Sequence, residues 1–100
     1  MTRLPLRLTP RAGQDLTGIW EHGAAQWGEA RADAYLRALA HLFDLIAEFP
    51  EMSPLRTEFT PPVRLHPHGA HLVVHLEDTA GVLVLRVISN RQDLLAALDG

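Results

Sequence analysis

The sequence predicts an α+β domain with the element order β-α-α-β-β-β, in which an antiparallel helix pair packs on one face of a small antiparallel sheet. Three observations lead there. The N-terminal residues 3–8, RLPLRL, alternate strictly between polar and apolar. Two stretches of helical period follow, separated by Gly28 and closed by Pro50. The last third holds three short apolar runs with turn residues between them.

With 100 residues the chain is expected to form a single domain over 1–100. It is 47% hydrophobic and 21% charged, with a net charge of −3. There is no cysteine, which removes disulfides, thiolate metal sites and a cysteine nucleophile. No apolar run approaches the roughly 20 residues needed to cross a bilayer. The N-terminus lacks the apolar region of a signal peptide, so a cytoplasmic location is expected. All nine basic residues are arginine; a GC-rich genome or selection for bidentate guanidinium contacts accounts for this. The acidic balance argues against sequence-specific nucleic-acid binding by this chain alone, because such binding rests on neutralising phosphates.

The elements follow in order. In 3–8, Leu4, Leu6 and Leu8 share the core side, and Pro5 places the strand at or near a sheet edge or beside a bulge. Thr9 caps and Pro10 starts the first helix. Ala12, Leu16, Ile19, Trp20 and Trp27 recur along it at helical spacing. Gly13, Gly18 and Gly23 weaken it by up to about 1 kcal/mol each, so packing must hold it. A stronger helix runs from Glu29 to about Phe49, with Tyr35, Leu39, Leu42, Phe43 and Ile46 as its core stripe. The short link predicts an antiparallel hairpin.

Residues 50–62 hold four prolines and no period, which reads as a loop. Gly69-Ala70 then suits a two-residue hairpin turn between 63–68 and 71–76. That register sets Val63 opposite Leu76, Leu65 opposite Val74 and Pro67 opposite Leu72 on one face. Arg64 with His75, His66 with Val73, and His68 with His71 occupy the other. In the last strand, 82–88, the expectation is that Leu83, Leu85 and Val87 face the helices. Val82, Val84, Arg86 and Ile88 then join the polar row, which faces away from the helices with Arg7 and Arg3. A short terminal helix is expected over 92–98.

The whole order of elements resembles the RelE/ParE toxin superfamily, and within it the ParE side. LTPRAGQDLTGIWEH resembles the opening of its first helix. WGEARADAYLRALAHLFDLIAEFP resembles its second, and VRLHPHGAHLVVH and VLRVISNRQD its central hairpin and terminal strand. The resemblance implies the toxin half of a type II toxin–antitoxin pair. Such a toxin inhibits DNA gyrase by binding, is neutralised by a ParD-like antitoxin in a hetero-oligomer, and needs neither cofactor nor metal. It also leaves a RelE-type alternative: a ribosome-dependent mRNA endoribonuclease with Arg64 and Arg86 on phosphate and His66 or His75 as base. A third alternative is a detoxified interaction module. Ser89 and Asn90 stand where the nuclease branch carries a terminal acid or base, and neither suits that role. The binding reading names Arg64, Arg86, Asn90, Arg91, Asp93 and Trp27 as partner contacts. Against it stand structural roles for the same residues: strand arginines held by Glu77, Glu58 or Asp93, tryptophans packing the helix hairpin, and 89–93 as a cap. Four histidines within 66–75 raise metal binding, but they project from a flat strand pair and no carboxylate shares their face until Glu77.

Overall fold

A computed structural model describes residues 5–90 and 97–98. Strand β1 (Leu6–Leu8) leads into helices α1 (Pro10–Trp27) and α2 (Glu29–Glu48). A 3₁₀ turn over Pro50–Met52 and a two-residue strand β2 (Leu55–Arg56) come next. Strands β3 (Val63–His68), β4 (His71–Asp78) and β5 (Gly81–Ser89) complete the sheet. Its order is β1-β5-β4-β3-β2, with β1 parallel to β5 and the other pairs antiparallel. The α+β class, the helix hairpin and the β3-β4-β5 meander agree with the sequence reading. The added strand β2 does not: two residues are too short to leave a period in the sequence. Arg3, Leu4, Arg91, Asp93 and most of the expected terminal helix lie outside the described residues; Ala97 and Leu98 are helical.

Thr9 does two jobs at the start of α1. Its hydroxyl oxygen accepts from the Ala12 amide at 3.0 Å and donates to the Leu85 carbonyl at 2.7 Å. The cap that satisfies an orphan amide therefore also pins the helix to β5. Gly28, at φ +93°, ends α1 and begins α2 in a left-handed conformation that favours glycine. Trp20 then ties the two helices together, its indole N–H donating to Asp33 at 2.7 Å.

Leu39, Leu42 and Ile46 of α2 are buried as the stripe predicts, while Tyr35 and Phe43 are half-buried. They meet Ala12 of α1 and Val73, Val82, Val84 and Val87 of the sheet. A second cluster forms on the opposite sheet face from Val63, Leu65, Val74, Ile88 and Ala97, with Phe59 and Leu98 against it. The two central strands are thus covered on both sides.

This reverses the expected faces. The predicted β3-β4 register holds pair for pair from Arg64↔His75 to His68↔His71. Its apolar row, however, lies on the second cluster, and its histidine row lies on the helix side. In β5 the side facing the helices carries Val82, Val84 and Val87, not Leu83, Leu85 and Val87. Val82 and Val84 follow the reversed row, and a β-bulge then keeps Val87 in it in place of Arg86: Val84 pairs with His75 but Arg86 pairs with Val74, leaving Leu85 as the extra residue. An uninterrupted period-2 reading misplaces everything on one side of such an insertion. In β1, Leu6 packs on the core, but Leu8 is 41% exposed at the sheet edge.

Candidate functional site

The polar row of β3 and β4 meets side chains from the helical layer. Tyr35 of α2 lies 2.7 Å from His71 Nδ1 and 3.1 Å from the His68 carbonyl, with both imidazoles edge-on to its ring. A phenol has one hydrogen and a carbonyl can only accept. The Tyr35 hydroxyl therefore donates to His68, His71 Nδ1–H donates to the phenol oxygen, and His71 Nε2 is left as an acceptor. Burial, with His68 and His22 nearby, holds His71 below the usual histidine range.

Farther along the row, the fully buried Ser53 hydroxyl bridges His75 Nε2 at 2.9 Å and His66 Nδ1 at 3.0 Å. His75 is itself fully buried, and its Nδ1 has no partner among the described residues. An unpaired acceptor is cheaper than an unpaired donor here. His75 Nε2–H therefore donates to Ser53, and Ser53 donates to His66 Nδ1. Desolvation, then the Arg64 charge, push His75 down to about 4. An unfolded histidine titrates near 6.5. Between those values the unfolded chain holds the extra proton, so stability is complete above about pH 6.5 and falls as pH drops toward 4. The loss amounts to roughly 3 kcal/mol. Urea titrations from pH 7 to 4 are expected to show it, and a His75→Gln variant to flatten that slope; an unchanged slope contradicts the assignment.

The two arginines do not converge. Arg64 shares a row with His75 and Val84; Arg86 shares the next row with Leu65 and Val74, on the opposite face. Arg64 Nε donates to Glu77 at 2.8 Å and Nη1 to the Ser53 carbonyl at 2.9 Å. Arg86, 9% exposed, donates from Nε and Nη2 to Asp15 at 2.8 and 3.1 Å, and from Nη1 to the Ala97 carbonyl at 2.9 Å. The expectation of Arg86 on an open polar face is therefore corrected. Its row lies on the face away from the helices, but the side chain is closed in by Asp15 of α1 and by Ala97. Asp15 and Ser53, which fix these groups, carried no sequence signal: Asp15 meets Arg86 across 71 residues of chain.

Trp27, an expected contact residue, is 56% exposed. The Arg31 guanidinium lies 5.7 Å from its ring centroid, and His22 stands edge-on to it. Trp27 borders a cavity of about 370 Å³ between the helices and the β4–β5 end, together with Asp15, Ile19, Tyr35 and His71. Asn90 is exposed, its backbone amide donating to the Ala70 carbonyl at 2.9 Å. Arg91 and Asp93 lie outside the described residues. Among the described residues, no three His, Asp or Glu side chains gather to hold a metal ion, and no helix is long and apolar enough to cross a membrane.

Comparison with known proteins agrees with this architecture. Residues 6–94 match the family described as ParE toxin of type II toxin-antitoxin system, parDE. A curated relative, Toxin ParE1 of Mycobacterium tuberculosis, is 32% identical over 88 residues, covering 87% of this chain and 90% of the relative. Toxin ParE1 of Caulobacter vibrioides is 31% identical over 94 residues, covering 94% and 97%. A solved structure described as the chromosomal ParDE TA system from P. aeruginosa superposes with a TM-score of 0.74 at 17% identity, over 87% of this chain and 96% of that one, and shares its fold. The chain belongs to the ParE toxin family of type II toxin–antitoxin systems.

Proposed function

We propose that this ParE-family toxin inhibits DNA gyrase by binding it while the DNA is cut, and that a ParD-like antitoxin neutralises it. The observation that carries a binding mechanism is the separation of Arg64 and Arg86 onto opposite sheet faces. A nuclease must gather cations around one developing phosphorane and place an acid or base within hydrogen-bond reach. Here one guanidinium is enclosed by Asp15 and the Ala97 carbonyl, and the other is shared between Glu77 and Ser53. Of the two candidate bases, His75 is fully buried and His66 is bonded to Ser53. Trp27 and the cavity beside it, by contrast, stand open to a macromolecule.

A gyrase supercoiling assay with purified toxin tests the reading. Supercoiling is expected to fall as toxin is added, and to recover when the antitoxin is supplied in equal amount. Undisturbed supercoiling, together with new breaks in translated mRNA by primer extension, supports the nuclease alternative instead.

A further inference from the structure

The cavity of about 370 Å³ between the helices and the β4–β5 end has the size and the lining of a small-molecule site. Such sites run from roughly 300 to 1,000 Å³ and combine apolar walls with a few placed polar groups. Ile19, Leu36 and Val87 supply apolar wall here, and the half-open Trp27 ring stands at the border. Gly18 also lines the cavity. A glycine weakens the middle of a helix, yet a Cβ added at Gly18 meets nothing within 4 Å. The packing of the chain therefore does not account for this glycine, whereas an occupant of the cavity does.

The lining sets the charge of that occupant. Among the described residues it holds no lysine or arginine. Its one carboxylate, Asp15, is committed to Arg86 and to the Val87 amide. An ion placed there finds no counter-charge, so the site favours a neutral ligand.

His71 sets the orientation. Tyr35 engages its Nδ1 at 2.7 Å, and Nε2 is left as an acceptor with no hydrogen bond among the described residues. The buried ring nitrogen without a partner is His75 Nδ1, not this one, so the His71 lone pair stands open to the cavity or its mouth. Burial holds His71 below the usual histidine range, which keeps that lone pair unprotonated at neutral pH. The phenol fixes the ring before any ligand arrives, and a fixed acceptor loses less entropy on binding. It also selects for a donor, since a ligand without one leaves the acceptor unpaired. The Tyr35 and Trp27 rings favour a flat partner that stacks or packs edge-on.

We propose that this cavity binds a free, neutral, planar heteroaromatic molecule that donates an N–H to His71 Nε2 and packs its ring among Ile19, Leu36 and Trp27. The inference goes beyond inhibition of gyrase and does not depend on it.

Indole and benzofuran are the probes, because they share a shape and differ in the N–H. Each is titrated into the full chain and followed by amide chemical shifts. Indole is expected to saturate one site at roughly 1 mM or tighter, with the largest shifts at Gly18, His71 and Val87. Benzofuran is expected to bind about ten-fold more weakly, the loss of one hydrogen bond. Gly18→Leu is expected to keep the circular dichroism of the parent, since leucine is the better helix former, and to abolish indole binding by filling the space. Absence of saturable shifts with indole up to its solubility limit overturns the proposal. Equal affinity for the two probes overturns the role of His71. Undiminished binding to Gly18→Leu, or shifts centred elsewhere, places the ligand outside the cavity with the same consequence. A last arm separates a free ligand from an aromatic side chain of a partner protein. Indole that stays bound after an equal amount of antitoxin is added supports the free ligand. Indole displaced by the antitoxin assigns the cavity to the partner and overturns it.

Discussion

Replacing Asp15 with alanine is expected to remove about 3–5 kcal/mol of folding stability, the usual cost of stranding one partner of a buried ion pair. The Asp15 carboxylate accepts three bonds, from Arg86 Nε, Arg86 Nη2 and the Val87 amide. Side-chain exposures of Arg86 and Asp15 are 11% and 13%, so water replaces little of what is lost. Among the described residues, the variant leaves an enclosed guanidinium with the Ala97 carbonyl alone and a strand amide without an acceptor. A small domain has roughly 5–15 kcal/mol in all, so much of the reserve disappears. Urea unfolding followed by circular dichroism measures it. The double variant Asp15→Leu with Arg86→Met is expected to be more stable than Asp15→Ala alone, because both charges leave together. A loss below about 1 kcal/mol in the single variant contradicts the buried-pair account.

Gly81→Ala is expected to cost about 3 kcal/mol, from two sources. Gly81 sits at φ +126°, where a side chain is strained, and an added Cβ stands 2.3 Å from the Pro5 carbonyl oxygen. That carbonyl accepts from the Val82 amide at 2.9 Å, beside the parallel pairing of β1 on β5. The added methyl must push β1 off the sheet edge. The expected result is a lower melting temperature together with faster hydrogen exchange at Val82. A variant that melts with the parent and keeps that amide protected contradicts the packing described here.

The helix pair was legible because its punctuation is local: Thr9-Pro10, Gly28 and Pro50 each act on the backbone at their own position. The β3-β4 register was legible for the same reason, since Gly69-Ala70 fixes the turn and the pairs follow. Which face turned toward the helices was not. A period-2 pattern sorts side chains into two rows without saying what covers either, and here both rows are covered. Hydrophobicity alone sends His66, His68, His71 and His75 to water. Hydroxyls of Tyr35 and Ser53 accommodate three of these imidazoles on the helix side instead. The Leu85 bulge then moved Arg86 from the row of Val73 to that of Val74. Arg86 thus changes from an expected contact residue to an internal anchor, and the expected open face of guanidinium and imidazole groups is lost. The functional reading survives that loss because it rests on family membership and on the absence of a shared cationic centre at the two strand arginines. Of the candidate contacts within the described residues, Trp27 and Asn90 remain exposed.

The central claim, inhibition by binding and not by catalysis, is tested most directly by stoichiometry. Purified toxin is titrated into gyrase at several fixed gyrase concentrations well above the binding constant, and supercoiling is read at each ratio. Stoichiometric inhibition predicts that the toxin needed for half-inhibition rises in proportion to the gyrase present and does not change with incubation time. RNA breaks that accumulate with time on translating ribosomes at toxin far below ribosome concentration, with supercoiling untouched, contradict it.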